Sequence, residues 1–317
     1  MRAVLLDQYG DLERLKVTDV PQPKPKPGEV LIEVHNVSVN PVEWKIVEGK
    51  VAHFLPAEFP LIIGWDVAGV VKALGEGVSQ PAVGEEVYGY CRPPVSHQGT
   101  FAEYCCFDAQ HIVPKPKNLS FAQAAAIPLV GLTAWQAIVE KVKLKRGQSC
   151  LIHAGAGGVG SLALPIARHV GAWVATTASV GNHDYVRAIG ADLAIDYHTT
   201  DFVEEIRKHH PDGVDFVYDL VGGKTLDASY SIVKKGGWLV SVVDAIDKER
   251  AKQLGIHAEN SVVRPAGDQL LRLKELLELG KIPAPPIEEM ELSEVVAALR
   301  KIKTEHTRGK IVLNLRV

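Results

Sequence analysis

The sequence predicts an α/β fold in which a doubly wound parallel sheet is inserted into a β-rich domain. Three observations lead to this prediction: a glycine-dense turn between a strand and a helix, a regular alternation of strands and helices around it, and a β-rich first third of the chain. A length of 317 residues corresponds to about two domains. The predicted domains are residues 1–125 plus 266–317 for the β-rich domain and 126–265 for the inserted domain.

The composition excludes several classes of protein. The 46% hydrophobic and 23% charged residues are ordinary for a globular domain, and the net charge of −3 gives no basis for binding nucleic acid or an acidic membrane. No apolar run reaches the length of about 18 residues that spans a bilayer, and the first residues do not form a signal peptide. The four cysteines suggest neither a disulfide framework nor a zinc cluster, so we expect a reducing, cytoplasmic location.

The first 125 residues contain predicted strands at residues 3–6, 29–39, 69–74 and 86–90, separated by proline and glycine turns. Asn40 follows the second of these strands, and Pro41 suits the first position of a helix. Asn40 therefore has two open interpretations, a helix cap or a chemical role. Asp66, between an aromatic residue and two glycines, is either a paired carboxylate at a domain contact or a solvated turn residue.

The glycine-dense turn follows the short apolar run Ser149–Ile152 and precedes a stretch with helical apolar spacing. Gly155, Gly157 and Gly160 fit the pattern G-x-G-x-x-G, in which glycines permit a tight turn, close approach of backbone N–H groups to a pyrophosphate, and close packing of helix on strand. The start of the helix adds unpaired N–H groups and a positive dipole end. The turn therefore predicts a dinucleotide site, and His153 before it is interpreted as a neutral histidine at the end of a strand.

Strands are predicted at 172–177, 193–196, 214–219 and 238–242, with helices at 161–170, 184–189 and 202–207. Ligands of such sheets lie beyond the carboxyl ends of the strands. The end of the second strand, Thr176–Asn182, contains no Asp or Glu to bind a ribose 2′-OH, and its hydroxyls and amide can donate to a 2′-phosphate. Arg187 lies in the helix that follows. The cofactor expected from this stretch is NADPH rather than NADH.

The last part of the chain is predicted to contain helices at 268–279 and 292–300 and a closing strand at 309–315. This strand has no partner in a completed nucleotide domain. We therefore expect it to rejoin the N-terminal part of the chain.

Several motifs, in their order along the chain, resemble those of one family. They include residues 27–31, 39–45, 64–71, 99–104, 131–134, 154–160 and 309–313. By these motifs the chain resembles the zinc-free medium-chain dehydrogenases/reductases of the quinone oxidoreductase (ζ-crystallin-like) branch, close to the 2-alkenal and enone reductases. The resemblance covers nearly the full length and implies a Rossmann-type domain inserted in a GroES-like catalytic domain.

The resemblance implies a zinc-independent reductase that transfers hydride from NADPH to a quinone or to a conjugated C=C. Asn40 and Trp65 stand where zinc-dependent relatives have a Cys and a His, and neither replaces that pair. Asn40 is implied near the nicotinamide ribose and the substrate, and Lys45 is a further catalytic candidate. No residue is identified as a proton donor. The implied cofactor-binding set is Asn40, Thr133, Gly155, Ala156, Gly157, Gly158, Val159, Gly160, Thr177, Ser179, Asn182, Tyr197, Val221, Ser241, Val242 and Lys310.

Many members of this family carry Lys or Arg where Gly181 or Asn182 stands here. Such members are often homodimers paired through the edge of the nucleotide-domain sheet, and Ser261–Arg264 is the predicted edge strand. Two other functions stay open from the sequence: a non-catalytic NADPH-binding protein with a structural or regulatory role, and a zinc alcohol dehydrogenase.

Overall fold

The computed structural model describes residues 1–316, which form sixteen β-strands and ten α-helices. The strands are β1 (Arg2–Leu6), β2 (Lys16–Asp19), β3 (Glu29–Ser38), β4 (Leu61–Ile62), β5 (Asp66–Leu74), β6 (Glu86–Tyr90), β7 (Tyr104–Asp108), β8 (Ile112–Pro114), β9 (Ser149–Ile152), β10 (Trp173–Thr177), β11 (Leu193–Ile195), β12 (Val214–Asp219), β13 (Val233–Ser241), β14 (His257–Asn260), β15 (Ile287–Glu291) and β16 (Lys310–Asn314). The helices are α1 (Pro41–Val47), α2 (Phe121–Ala125), α3 (Pro128–Trp135), α4 (Gly160–Val170), α5 (His183–Ala188), α6 (Phe202–His209), α7 (Gly223–Ser229), α8 (Lys248–Leu254), α9 (Gly267–Glu278) and α10 (Val295–Lys303).

The chain divides into two compact units. The β-rich unit comprises Met1–Leu132, Arg264–Glu278 and Ala284–Val317, and the parallel-sheet unit comprises Thr133–Val263 and Leu279–Pro283. Residues 126–132 thus belong to the β-rich unit, whereas the sequence prediction assigned them to the inserted domain. The first boundary falls inside α3, between Leu132 and Thr133, and a boundary within a helix has no loop to mark it in the sequence.

The β-rich unit contains a seven-stranded sheet with the order β15-β16-β3-β5-β6-β8, in which β7 also pairs with β3. A second sheet has the order β2-β1-β4. Most of the long strand β3 is buried, and its side chains Val30, Ile32 and Val34 are fully buried. The closing strand β16 pairs antiparallel with the end of β3, which confirms that the C-terminal part returns to the first part of the chain.

The parallel-sheet unit contains six strands in the order β11-β10-β9-β12-β13-β14, and every neighbouring pair is parallel. Numbered from β9, this is the order 3-2-1-4-5-6 of a doubly wound dinucleotide-binding sheet. Apolar residues of the strands and of α6, α7 and α8 form its core, among them Leu151, Val217, Ile206 and Leu226. The predicted alternation of strands and helices is confirmed.

The prediction that Ser261–Arg264 forms the edge strand is wrong. The edge strand is β14, whose residues pair with β13 from Trp238↔His257 to Ser241↔Asn260. The two valines at 262 and 263 attracted the prediction, but Val262 is largely exposed and the chain has already left the sheet there. Among the described helices, none combines the length and the apolar character needed to cross a membrane.

Candidate active site

Five buried polar side chains meet in the β-rich unit, and we call them the charged cluster: Ser38, Asn40, Glu43, Asp66 and Lys310, each at most 2% exposed. They come from the end of β3, the start of α1, the start of β5 and the start of β16. Pairing of β3 with both β5 and β16 brings these ends together. Three ionisable groups therefore share a space from which water is largely excluded.

Asp66 is the acid of the charged cluster with the most hydrogen bonds. Its Oδ2 accepts hydrogen bonds from the Ser38 hydroxyl at 2.6 Å and from the Asn40 amide at 2.8 Å, and its Oδ1 accepts from the Leu129 N–H at 2.7 Å. The Lys310 ammonium lies 4.0 Å from Oδ2. Asp66 is therefore a paired carboxylate, and the alternative of a solvated turn residue is wrong.

Asn40 links the acid to the base. Its Oδ1 accepts from Lys310 Nζ at 2.5 Å, while its Nδ2 donates to Asp66. Lys310 Nζ also donates to the carbonyl oxygen of Val39 at 2.8 Å. Asn40 occupies the N-cap position of α1, as the first interpretation expected, yet its side chain is a link between an ammonium and a carboxylate.

Burial acts on all three charges. It raises the pKa of Asp66, which Lys310 and the three hydrogen bonds oppose, and it lowers the pKa of Lys310, which Asp66 and Glu43 oppose. Burial, opposed by Lys310 and assisted by Asp66, raises the pKa of Glu43 to about 8. Since one ammonium can compensate one carboxylate, we assign the negative charge to Asp66 and a proton to Glu43 at neutral pH.

Sequence reasoning missed Glu43 and Ser38. Glu43 is the third residue of α1, and its Oε2 accepts from the Asn40 backbone N–H at 2.5 Å. The signal was present, because Asn40-Pro41-x-Glu43 combines a cap residue, a first-turn proline and an acid at the capping-box position. Nothing in the sequence distinguishes Ser38 from other serines at strand ends.

Two predicted site residues, Lys310 and Lys45, differ in how their surroundings bear on the roles that the resemblance implied. Lys310 is predicted to bind the cofactor, but it is 2% exposed and its ammonium is occupied by Val39, Asn40 and Asp66. Lys45 lies outside the charged cluster, where its Nζ is 5.6 Å from the centre of the Trp44 ring. The catalytic role of Lys45 stays a prediction.

The glycine turn of the parallel-sheet unit is packed too closely for side chains. A Cβ on Gly155 would lie 2.1 Å from Thr176 Oγ1, and one on Gly160 would lie 2.4 Å from the Ala154 carbonyl oxygen. Gly157, Gly158 and Val159 are only half-buried and lead into α4. The N–H of Gly157 donates to the Ala154 carbonyl, and the N–H groups of Ser161, Leu162 and Ala163 donate to the carbonyls of Gly157 and Val159. The N–H groups left for a ligand are those of Gly158, Val159 and Gly160. The turn therefore fits a pyrophosphate, held by backbone N–H groups at a helix start.

His153, Thr177 and Ser229 form a second buried group, which we call the histidine network. His153 Nδ1 is 3.1 Å from Thr177 Oγ1, and Nε2 is 3.0 Å from Ser229 Oγ. The Ser229 hydroxyl donates its one proton to the Thr225 carbonyl, so Nε2 carries the imidazole proton and Nδ1 accepts from Thr177. Burial lowers the pKa of His153 to about 3, which confirms the prediction of a neutral histidine.

This network has a consequence for Thr177. Its hydroxyl accepts from the Ala154 N–H at 3.1 Å and donates to His153, so no proton is left for a phosphate. A role of the Thr177 side chain in phosphate binding does not fit this arrangement. The hydroxyl instead fixes the entrance to the glycine turn.

Beyond the end of β10, Ser179 and Asn182 are half-buried, and Asn182 Nδ2 donates to Ser179 Oγ at 3.0 Å. The Ser179 hydroxyl proton and the second amide proton of Asn182 have no protein acceptor in this pair. Gly181 between them is exposed and has open space at its Cβ position. Tyr197, after β11, is half exposed and its ring contacts the His198 ring.

The ends of β12 and β13 are joined by a carboxylate. Asp219 Oδ2 accepts from the Ser241 hydroxyl at 2.7 Å, and its Oδ1 accepts from the N–H groups of Val221 and Gly222. The Ser241 hydroxyl also accepts from the N–H groups of Val243 and Asp244, so it has no proton left for a cofactor. Thr133, in α3, is buried, and its carbonyl accepts from the Tyr218 hydroxyl.

Residues 1–316 contain no group of three or more His, Cys, Asp and Glu side chains arranged to hold a metal ion. Asn40 and Trp65 stand at the two positions that the resemblance identified with zinc ligands. Trp65 is buried, with its ring edge-on to that of Tyr90. Asn40 Oδ1 accepts a hydrogen bond from the Lys310 ammonium. An indole and an amide engaged by a cation are unsuited as zinc ligands.

Comparison with known proteins identifies relatives over nearly the full length of the chain. A family model described as the alcohol dehydrogenase GroES-like domain matches residues 26–117, and one described as zinc-binding dehydrogenase matches residues 189–313. The chain is 35% identical to the NADPH-dependent alkenal/one oxidoreductase of Arabidopsis thaliana and 36% identical to the 2-methylene-furan-3-one reductase of Solanum lycopersicum. In both cases the match covers 99% of this chain and 79% of the relative.

A quinone oxidoreductase from Coxiella burnetii has a solved structure with a TM-score of 0.90 and 37% identity, over 100% of this chain and 99% of that one. The doubly wound sheet, the glycine turn and the β-rich unit agree with this likeness over the full length. The chain therefore belongs to the medium-chain dehydrogenase/reductase family, in the branch of the quinone and alkenal/one oxidoreductases.

Proposed function

We propose that this protein is an NADPH-dependent reductase that transfers a hydride to the conjugated C=C of enones and alkenals, or to quinones. The observation that carries the proposal is the closely packed glycine turn, because Gly155 and Gly160 let the start of α4 lie against the end of β9, where a Cβ would clash. Relatives named as alkenal/one, methylene-furanone and quinone reductases support the substrate class.

The choice of NADPH rests on the end of β10. Residues 177–182 contain no carboxylate that would repel a 2′-phosphate, and the Ser179 and Asn182 side chains have protons to donate. The Arabidopsis relative is named as NADPH-dependent, which agrees. NADH, which lacks that phosphate, would gain nothing from these donors.

The proposal is zinc-independent because of the donor chemistry at Asn40 and Trp65. Lys310 holds a positive charge against Asn40 Oδ1, where a metal ion would be repelled. An alcohol needs a Lewis acid or base to release its hydride, whereas an enone or quinone is already an electrophile. Reduction of an activated acceptor is therefore the chemistry that these residues support.

Bound NADPH supplies the hydride, and the protein supplies binding and orientation. Backbone N–H groups of Gly158, Val159 and Gly160 would hold the pyrophosphate. The charged cluster fixes Asn40 in one orientation, with its amide between Lys310 and Asp66. For an enone, bound NADPH would supply a hydride to the β-carbon and water would supply a proton to the α-carbon, so that the products would be a saturated ketone and NADP⁺.

The test mixes the purified protein with NADPH and a panel of small enones, alkenals and quinones, and follows nicotinamide absorbance. We expect turnover with several members of the panel. Tight NADPH binding without turnover across the panel would contradict the proposal and favour a non-catalytic NADPH-binding protein. Stoichiometric zinc by elemental analysis would favour an alcohol dehydrogenase instead.

The expected homodimer and the cytoplasmic location belong to the same proposal. The sheet has two edges, β11 and β14, and we propose that two sheets pair through β14, His257–Asn260, which has a strand neighbour on one side only. Light scattering on the purified protein measures the mass in solution. A mass of one chain at micromolar concentration would contradict the dimer.

A further inference from the structure

Four buried side-chain oxygens of the described residues make no hydrogen bond: Tyr90 Oη, Ser96 Oγ, Thr100 Oγ1 and Thr307 Oγ1. Three of them lie between residues 90 and 100. A buried hydroxyl without a partner costs about 1–3 kcal/mol, so native proteins rarely keep one without a reason. Tyr90 is the largest of these residues and is 1% exposed.

Tyr90 lies beside the charged cluster. It is the last residue of β6 and stands directly opposite Asp66 in the antiparallel pair of β5 and β6. Residues so paired project from the same face of a sheet, with Cβ atoms about 5 Å apart. The Trp65 ring is edge-on to the Tyr90 ring at 6.1 Å between centroids. The hydroxyl without a partner therefore belongs to the same region as Asn40.

The phenolic proton has no acceptor. Burial raises the pKa of Tyr90, so the hydroxyl is protonated, and the Arg92 guanidinium opposes this effect only in part. A guanidinium donates and never accepts. Arg92 can act on the phenol oxygen only through its positive charge or as a hydrogen-bond donor. The proton of Tyr90 is therefore still available to a ligand.

Thr100 brings a second unpaired hydroxyl to the same bend of the chain. Its N–H donates to the Gly64 carbonyl at 3.0 Å, and the N–H of Cys91, next to Tyr90, donates to the Trp65 carbonyl at 2.7 Å. The segments that carry Tyr90 and Thr100 are thus both anchored on residues 64–65. Two unpaired O–H donors beside one bend point to a ligand with an oxygen acceptor.

We propose that the Tyr90 hydroxyl donates a hydrogen bond to the carbonyl oxygen of the enone or quinone substrate, with the Thr100 hydroxyl as a second donor. This inference rests on the proposed function and names the group that would hold its substrate. Hydride addition to the β-carbon moves negative charge onto the carbonyl oxygen, and a fixed donor stabilises that charge. Tyr90 keeps its proton throughout, so it acts by positioning and polarisation.

The test replaces Tyr90 with Phe and uses Tyr88→Phe as a matched control. Tyr88 lies two residues earlier in β6 and is equally buried, but its hydroxyl donates to the Leu270 carbonyl at 2.8 Å. For Tyr90→Phe we expect kcat/KM for 2-cyclohexen-1-one to fall at least about tenfold, an unchanged Kd for NADPH, and a higher Tm, because an unpaired polar atom is removed. Tyr88→Phe should lower Tm and leave kcat/KM unchanged.

Two results would overturn the inference and leave the proposed function standing. The first is wild-type kcat/KM in Tyr90→Phe. The second is a fall in its Tm like that of Tyr88→Phe, since this would show that the hydroxyl has a partner in the free protein. Thr100→Val, of equal size, should reduce kcat/KM by a smaller factor, and no reduction would remove Thr100 from the site.

A binding measurement separates the inference from the proposed function. The affinity of 2-cyclohexen-1-one for the protein saturated with NADP⁺ is measured by calorimetry, where no turnover is possible. Weaker binding to Tyr90→Phe than to wild type and Tyr88→Phe supports the inference even if no substrate of the panel is reduced. Equal binding to all three proteins overturns it.

Discussion

The charged cluster and the histidine network satisfy buried polar groups in opposite ways. In the first, Asp66 and Lys310 keep full charges and share Asn40 between them, while Glu43 holds a proton. In the second, an uncharged imidazole is bonded by two hydroxyls, and no charge is buried. Both groups are almost completely buried, so the difference lies in charge and not in exposure.

The difference means that the two regions respond to opposite changes of pH. Glu43 has a raised pKa in the folded protein, so its contribution to stability is lost as the pH rises from the unfolded value of 4.5 to about 8. His153 has a lowered pKa, so its contribution is lost as the pH falls below the unfolded value of 6.5 towards about 3. One unit therefore loses stability as the pH rises from 4.5 to about 8, and the other loses it as the pH falls below 6.5.

The largest effect is expected from Lys310→Met. This change leaves Asp66 buried without its cation, which costs about 3–5 kcal/mol of the free energy of unfolding. Calorimetry of the purified variant measures the loss as a lower Tm. Adding Asp66→Asn should recover part of it, because the uncompensated charge disappears.

Lys16→Met is the control for the loss of a lysine. Lys16 is exposed and pairs with Asp7 at the surface, so its replacement should change the free energy of unfolding by less than about 0.5 kcal/mol. Equal effects of Lys310→Met and Lys16→Met would show that Lys310 is not the compensating charge of the cluster.

A smaller effect on the free energy of unfolding is expected when the histidine network is exposed to acid, to which the charged cluster responds differently. Between pH 7 and pH 5 the wild type should lose about 2 kcal/mol through His153, because the unfolded chain binds a proton that the folded protein refuses. His153→Gln keeps an acceptor for Thr177 and a donor for Ser229 but does not titrate. The measurement is Tm against pH, and parallel curves for the two proteins below pH 7 would contradict the assignment.

The corresponding change in the charged cluster is Glu43→Gln. Between pH 7 and pH 9 the wild type should lose about 1.4 kcal/mol, because up to about pH 8 the folded protein keeps a proton on Glu43 that the unfolded chain has released, whereas the variant should not. The amide of the new side chain retains an oxygen that accepts from the Asn40 N–H. The result to be compared is the slope of Tm between pH 7 and 9. An unchanged slope in the variant would mean that Glu43 is already ionised at pH 7.

The sequence predicted the glycine turn in more detail than the charged cluster. The glycine turn was found because its pattern is local: Gly155 to Gly160 lie within six residues, and Gly155 and Gly160 each have a steric reason that the structure shows. The resemblance added Asn40 and Lys310 but not their contact, which joins residues 270 positions apart in the chain. Such a contact depends on the pairing of β16 with β3, and no local pattern specifies it.

Local patterns also failed where packing decides. The valines at 262 and 263 favour a strand, yet the register of β13 ends the edge strand at Asn260. The hydroxyl of Thr177 suggests a phosphate donor, yet His153, 24 residues earlier, takes its proton. In each case the residue type was interpreted correctly, and a distant partner determined its role.

The smallest effect tests the cofactor end of the parallel-sheet unit, which lies outside both networks. Gly181 is exposed, has open space at its Cβ position and has no left-handed backbone that would strain a side chain. Gly181→Arg should lower the Kd for NADPH about fivefold, or about 1 kcal/mol, through attraction to the 2′-phosphate, and leave the Kd for NADH unchanged. Gly181→Ala, which adds no charge, should change neither. The gain should shrink in high salt, since the attraction is between exposed charges. Equal gains for NADH and NADPH would mean that the new guanidinium meets the pyrophosphate instead, and that Ser179 and Asn182 do not face the 2′-phosphate.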